Sequence, residues 1–327
     1  MEGSEAFYFK NVERFSVRGN AGNVLHSRPM NPKTLILKIS EYFKSHSFAR
    51  RCVSTLALFV LLFCVVYFGK IYGAIALMTL VSTLALYEFY KLAEHFGGSP
   101  RIVLGLILGT ALVPFFYYAS EKDPAGTELR VPVLIWVAAL VFFFGIYLMA
   151  KQKIPGWLKG LSTLFGVLYI PLMVSFYALL AGLKGMDGVL LCVWIVLAAK
   201  FTDIGGLLFG CKFGKHKLAP SVSPNKSWEG VFGGLALSML GSAGLVYAFN
   251  SFGVWTITFS PLEAALCALP ISATSVVSDL VESAFKRQAG DKDSGATIPG
   301  IGGALDLLDS LIFVAPVGYA IVMYYVL

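Results

Sequence analysis

Six of the chain's 19 acidic residues fall between positions 279 and 309: Asp279, Glu282, Asp291, Asp293, Asp306 and Asp309. Lys286, Arg287 and Lys292 are interleaved with them, and a Pro299-Gly300-Ile301-Gly302-Gly303 turn follows. Asp279 and Glu282 share a helical face, and Lys286 lies four residues after Glu282 on the same side. Asp306 and Asp309 are again one turn apart. Two carboxylate pairs joined through a Gly/Pro-rich turn can fold back to hold Mg2+, which takes a few carboxylates, substrate phosphate oxygens and waters. Ion pairing competes with that account: Glu282 with Lys286, and Asp291 or Asp293 with Lys292. It leaves Asp306 and Asp309 without cations, because position 307 is Leu and no lysine or arginine follows.

A second chemically rich stretch lies upstream. Lys200 and Asp203 stand three apart near the end of an apolar run, hence on one face. Ionisable groups in a span are functional candidates by default, with mutual neutralisation as the rival account. The loop beyond them holds Lys212, Lys215, His216 and Lys217, then Ser223-Pro224-Asn225-Lys226-Ser227-Trp228-Glu229-Gly230. Glycines, hydroxyls and lysines together suit a phosphate cradle. The same loop could equally touch anionic lipid headgroups. Gly210 to Gly214-Lys215 is not a P-loop: the spacing is one residue short and no strand is expected before it. His216, alone among lysines, is given no role.

The elements that must position these residues are apolar helices. Of 327 residues 57% are hydrophobic and 14% charged, against about 25% charged in a soluble domain. Apolar runs near 52–69, 71–90, 101–119, 131–150, 160–183, 188–210, 230–250, 262–285 and 311–327 are each close to the ~20 residues that cross hydrocarbon. The expected fold is an all-α integral membrane protein of about nine transmembrane helices, with a polar active-site cavity on the cytoplasmic side. Three regions are expected: a basic cytoplasmic tail over 1–51, N-terminal transmembrane helices over 52–185, and a catalytic transmembrane region over 186–327. Within the tail, Leu35, Ile39, Tyr42 and Phe43 recur at helical spacing among lysines, as in a helix lying on a membrane surface or a solvated linker. The pairs Gly105/Gly109, Gly206/Gly210 and Gly230/Gly234 permit close helix approach. Five scattered cysteines without C-x-x-C spacing point to neither a disulfide framework nor a zinc site.

Nine spans put 21 of the 26 lysines and arginines on the N-terminal side, and only Lys70, Lys122, Arg130 and Lys184 opposite, with Lys200 inside a span. Positive residues mark the cytoplasmic face. The N-terminus and both chemically rich loops are therefore expected in the cytoplasm, with the C-terminus outside.

These motifs resemble the phosphatidate cytidylyltransferase (CDP-diacylglycerol synthase) family. Ser283, Lys286, Arg287, Lys292, Asp293, Pro299, Gly302, Gly303, Asp306 and Asp309 match its signature in spacing, and 223–230 looks like its Ser-Pro-x-Lys-Thr-x-Glu-Gly element, with Asp203 ahead. Ile301 stands where the family has histidine, Leu307 where it has arginine, and Ala304 where it has a larger apolar residue. The resemblance implies cytidylyl transfer from CTP to phosphatidate. It assigns the catalytic work to Asp279, Lys286, Arg287, Lys292, Asp293 and Asp306. Substrate binding falls to Asp203, Ser223, Lys226, Ser227, Glu229, Glu282, Gly302 and Gly303. The implied cofactor is Mg2+ on Asp279, Asp306 and Asp309, with a second cation left open. Membrane lipids are the surroundings, a homodimer is implied, no nucleic-acid partner is expected, and the expected location is a bacterial inner (plasma) membrane.

Two other readings stay open at this point. One is a CTP-dependent enzyme for a polyprenyl or other lipid substrate. The other is a cation-coupled transporter using Lys200, Asp203 and Asp279, which would call for inverted repeats.

Overall fold

The structure, a computed structural model, describes residues 32–95, 98–122, 161–290, 294–295, 297 and 302–325, with backbone alone over 32–63 and at 161. Two compact units are distinguished, Met1–Arg50 and Arg51–Leu327. In the first, residues 32–50 are helical. Pro32 opens the helix at a position whose N–H would have no intrahelical partner.

The elements in chain order are α1 (Pro32–His95), α2 (Ile102–Lys122), α3 (Leu161–Tyr169), α4 (Pro171–Lys184) and α5 (Met186–Phe213), then strands β1 (Lys217–Ala219) and β2 (Ser223–Ser227), then α6 (Trp228–Ser251), α7 (Pro261–Ala289), α8 (Ala304–Leu308) and α9 (Val314–Tyr325). Helix α1 is interrupted at Lys70, whose φ of 49° and ψ of −136° are not helical. A Cβ added at Gly73 would stand 2.3 Å from the Val65 carbonyl oxygen. Eight residues of straight helix span about 12 Å, so the chain doubles back here. The break expected between 52–69 and 71–90 is present.

Among the described residues six helices are long and apolar enough to cross a membrane: Cys64–His95, Ile102–Lys122, Ser162–Lys184, Met186–Phe213, Trp228–Ser251 and Pro261–Ala289. The protein is thus an all-α, multi-pass membrane protein. The run at 131–150 lies outside the described residues. At the C-terminus α9 is shorter than expected, because residues 309–313 form turns before the helix starts at Val314. The loop over 211–229 holds an antiparallel ribbon that the sequence reading did not include, with Lys217 opposite Ser227 and Ala219 opposite Ser223.

Packing follows the logic of lipid rather than water. Phe232, Leu240 and Leu262 point outward, because lipid tails solvate them as well as a protein interior does. The segment Ser162–Lys184 is the central one, 83% buried, and Pro171 divides it into α3 and α4. Helices associate through small residues instead. A Cβ at Gly230 would meet the Gly206 carbonyl oxygen at 2.8 Å, and one at Gly234 the Thr202 carbonyl oxygen at 2.7 Å. Gly206 and Gly230/Gly234 therefore lie face to face and set the α5–α6 approach. Thr202 Oγ1 hydrogen-bonds Ser272 Oγ at 2.8 Å, tying α5 to α7. Helix α7 begins with a reciprocal Ser260/Glu263 cap and ends at Gly290, whose φ of 78° suits glycine.

Candidate active site

An aromatic cluster holds the site from within. Phe89 of α1 meets Phe285 of α7 edge to face with centroids 5.5 Å apart. Phe165 stacks on Tyr169 at 5.5 Å and 7°, and Tyr169 touches Phe285 and Phe313. The neighbours of Phe89 and Phe285 in sequence, Glu88 and Lys286, take their positions from this cluster.

Lys286 is the hub of α7. Its ammonium lies 2.5 Å from Glu282 and 3.0 Å from Asp306. Glu282 has no exposed surface and receives no directional hydrogen bond beyond this ion pair. Any effect it has on a ligand must pass through Lys286. Asp306 is more fully engaged. It accepts the Gly303 N–H at 2.8 Å and the Ser294 N–H at 3.3 Å, besides Lys286. Burial opposes its ionisation, but the Gly303 N–H and the Lys286 ammonium outweigh that and hold the carboxyl below its ordinary range.

A second knot joins α5 to the turn after α8. Lys200 lies 3.3 Å from Asp203, 2.8 Å from Ser310 Oγ and 3.5 Å from the Leu307 carbonyl oxygen. Ser310 Oγ donates to Asp203 at 3.0 Å. The Ser278 hydroxyl donates to the Asp309 carbonyl oxygen, which ties α7 to the same turn. The Asp309 carboxyl is pushed up to about 6: burial is the main cause, Lys200 works against it, and the charges of Asp279 and Asp203 add to it.

The ribbon supplies the third element. Lys226 of β2 pairs with Asp279, and Ser283 Oγ donates to the other Asp279 oxygen at 3.3 Å. Arg287 Nε donates to the Val222 carbonyl oxygen at 3.3 Å, fastening the ribbon to α7. Ser227 caps α6, its hydroxyl accepting the Gly230 N–H at 3.2 Å. Glu229 accepts from the Lys215 and His216 backbone N–H groups and meets His216 Nδ1 at 2.6 Å. His216 thus has a partner that its isolation in sequence did not foretell.

The structure therefore brings together Asp203, Lys226, Asp279, Glu282, Lys286, Asp306 and Asp309, from α5, the ribbon, α7 and the turn around α8. Ser223 begins β2 at the ribbon's bend. Glu282 pairs with Lys286 and Lys200 with Asp203, while the expected pairing of Asp291 or Asp293 with Lys292 lies outside the described residues. Asp306 does find a cation, Lys286, which the sequence reading had assigned elsewhere. Ser227 and Glu229, expected to touch substrate, are occupied by the α6 cap and the ribbon. Gly303 gives up its Cβ to make room for Glu88: a Cβ there would stand 2.4 Å from Glu88 Oε2. Gly302 has a φ of 126°, and a Cβ there would crowd Asp306 at 2.9 Å. Lys292, Asp293 and Ile301 lie outside the described residues.

Glu88, Ser294 and Ser310 escaped the sequence reading. Glu88 had a signal, since it is a carboxylate at the end of an apolar run.

Among the described residues no group of three or more acidic, histidine or cysteine side chains is drawn together so as to hold a metal ion. The donor chemistry nevertheless fits a cation whose shell is completed by ligand phosphate. Asp309 faces two like charges, and Asp279 and Asp306 are held by lysines.

The chain matches the cytidylyltransferase family over residues 49–325. The phosphatidate cytidylyltransferase of Haemophilus influenzae is 31% identical over 280 residues, covering 82% of this chain and 96% of that protein. That of Staphylococcus aureus is 32% identical over 247 residues, 75% of this chain and 88% of the other. That of Mycobacterium leprae is 37% identical over 169 residues, half of each chain. A match of this extent, on a chain whose lysines and carboxylates converge from four elements, shows that the protein belongs to the cytidylyltransferase family.

Proposed function

We propose that the protein transfers the cytidylyl group of CTP to phosphatidate, giving CDP-diacylglycerol and pyrophosphate. The observation that carries the reading is the pairing of each key lysine with a carboxylate, Lys226 with Asp279 and Lys286 with Asp306, in a chain of this family. The nucleophile is an already ionised phosphate, so no strong general base is required. The work is to bring two polyanions together and to stabilise the leaving pyrophosphate.

Incoming phosphates compete with Asp279 and Asp306 for Lys226 and Lys286. Arg287 and Ser223 stand at the ribbon's bend to take further phosphate oxygens, with Lys292 and Asp293 following in sequence. The carboxylates released by this exchange, Asp279 and Asp306, would hold Mg2+ together with Asp309. A metal ion held there would supply charge neutralisation for the triphosphate and Lewis-acid polarisation of its phosphoryl oxygens. Lys200, beside Leu307, stands in for the arginine the family pattern places at that position.

Nine spans, a cytoplasmic N-terminus and active site, an opening through which lipid enters from the leaflet, and a homodimer complete this reading. Purified protein assayed with radiolabelled CTP, Mg2+ and a panel of lipid phosphates tests it. The expected product is CDP-diacylglycerol from phosphatidate. Turnover confined to polyprenyl phosphate would replace the lipid, and no CTP consumption with any lipid would refute the reading.

A further inference from the structure

We propose that Glu88, far from the signature residues in sequence, is a positioning residue that sets the turn carrying Asp306 and Asp309. The inference rests on the reading above, in which those two aspartates serve the reaction.

Glu88 is 4% exposed in the apolar half of α1, one residue before the aromatic cluster that registers α1 on α7. Its Oε2 accepts the Leu305 N–H at 2.8 Å across 217 residues of chain. Its Oε1 accepts the Thr297 hydroxyl. Two glycines make room for it: a Cβ at Gly295 would lie 2.6 Å from Oε1 and one at Gly303 2.4 Å from Oε2. Glu88 thus touches the chain at 295, 297, 303 and 305. Those positions include Gly303 and adjoin Ser294, the two residues whose N–H groups hold Asp306.

Among the described residues no lysine or arginine pairs with Glu88. A buried carboxylate in an apolar helix is costly without a partner, and here the partners are two donors from one turn. A carboxylate suits them because both of its oxygens only accept. Glu88 touches no part of the lysine–carboxylate set directly. Its effect must pass through the turn, and this gives the glycines of the turn a packing reason independent of substrate.

The test uses the full chain in detergent, with turnover of CTP and phosphatidate read beside Mn2+ affinity by electron paramagnetic resonance. Loss of a residue that orients ligating groups typically costs 10–100-fold. Glu88→Ala is expected to lose about that much in both readouts. Glu88→Gln retains one acceptor for the Leu305 N–H and an amide that the rotatable Thr297 hydroxyl can accept, so it should stay within a few-fold of wild type. Gly303→Ala should lose activity through its clash with Glu88, and combining it with Glu88→Ala should cost much less than the two losses together.

Glu88→Gln as damaged as Glu88→Ala would overturn the proposal, because the charge itself would then be needed. So would wild-type Mn2+ affinity and turnover in Glu88→Ala, or additive losses in the double variant. If Glu88→Ala does not purify, Thr297→Val and Gly303→Ala carry the test, and wild-type behaviour in both overturns it. Asp306→Asn run in parallel separates the two levels. If it is fully active, the underlying reading of the site fails. If it is inactive while Glu88→Ala is normal, only the role of Glu88 fails.

Discussion

Asp309→Asn should make the metal-free protein more stable and the enzyme inactive. In the folded chain the Asp309 carboxyl is moved from the ordinary 3.8 to about 6. Moving the carboxyl that far corresponds to about 3 kcal/mol between the two protonation states. Asparagine keeps the volume and removes the charge. Its amide must find a partner where a carboxylate accepted the Ser310 N–H, and partial exposure screens the repulsion, so the net gain should be about 1–2 kcal/mol.

The sign follows from linkage. Between the two values the folded chain binds the proton and the unfolded chain does not, so stability falls as pH rises from about 4 to about 6 and is flat above. The gain from Asn should therefore be full near pH 7.5 and largely gone near pH 4. Thermal unfolding in detergent with a chelator, at both pH values, measures it. Added Mg2+ should stabilise wild type and not the variant, since a metal ligand must be deprotonated. Loss of stability in the variant near pH 7.5 without metal, or a gain equal at both pH values, would refute the reasoning.

Asp279→Asn and Asp306→Asn are each expected to lower turnover by two decades or more while the protein remains extractable, on the order seen when a group acting on phosphoryl charge is removed; steady-state kinetics of both check it. Leu307→Arg would set a second cation beside Lys200, which already lies 3.5 Å from the Leu307 carbonyl oxygen. It should not raise kcat/KM for phosphatidate, and a gain of a decade, the roughly 1.5–3 kcal/mol of a charge-assisted hydrogen bond, would sink the idea that Lys200 compensates. Gly230→Leu places a branched side chain against the Gly206 carbonyl oxygen and should cost about 2 kcal/mol or more through overpacking, read as loss of folded protein on size exclusion. Reporter fusions at the two termini should place the N-terminus in the cytoplasm and the C-terminus outside; both on one side would shift the span count by one.

What sequence made legible here was whatever a short period or spacing encodes. Apolar length gave helices long enough to cross a membrane, six of them among the described residues, and the break at Lys70, while three- and four-residue spacings gave Lys200 with Asp203 and Glu282 with Lys286. The glycine pairs told which faces meet, but not that Gly206 and Gly230 meet each other, because partner choice among helices has no local signature. The ribbon was hidden for a related reason. Residues 217–227 contain two prolines, Pro220 and Pro224, and one β-branched residue, Val222, and the strands are held by Glu229 and His216 at their base rather than by propensity. Lys226 with Asp279 and Glu88 with Leu305 were beyond reach, since each joins residues far apart in sequence. For Glu88 the general rule about ionisable groups in spans was available. Lys200 and Asp203 neutralise each other three residues apart, whereas the partners of Glu88 are an N–H and a hydroxyl more than 200 residues away, which leave no local pattern.

The charge count around the site argues that lysines and metal are alternatives rather than additions. Lys200, Lys226 and Lys286 face Asp203, Asp279, Glu282, Asp306 and Asp309. Among the described residues these carboxylates outnumber the lysines that pair with them, which would favour a divalent ion. The Asp309 carboxyl is raised mainly by burial, with Lys200 opposing that and the charges of Asp279 and Asp203 adding to it. If a triphosphate draws Lys226 and Lys286 away, the carboxylates they leave become more strongly negative at the same moment, and their demand for a cation rises. Nucleotide and divalent ion should then bind with positive coupling, each raising the affinity for the other by the same factor. Sites of preformed cage type would not need that coupling. Here it would follow from Asp279 and Asp306 being paired with lysines until a polyanion draws those lysines away.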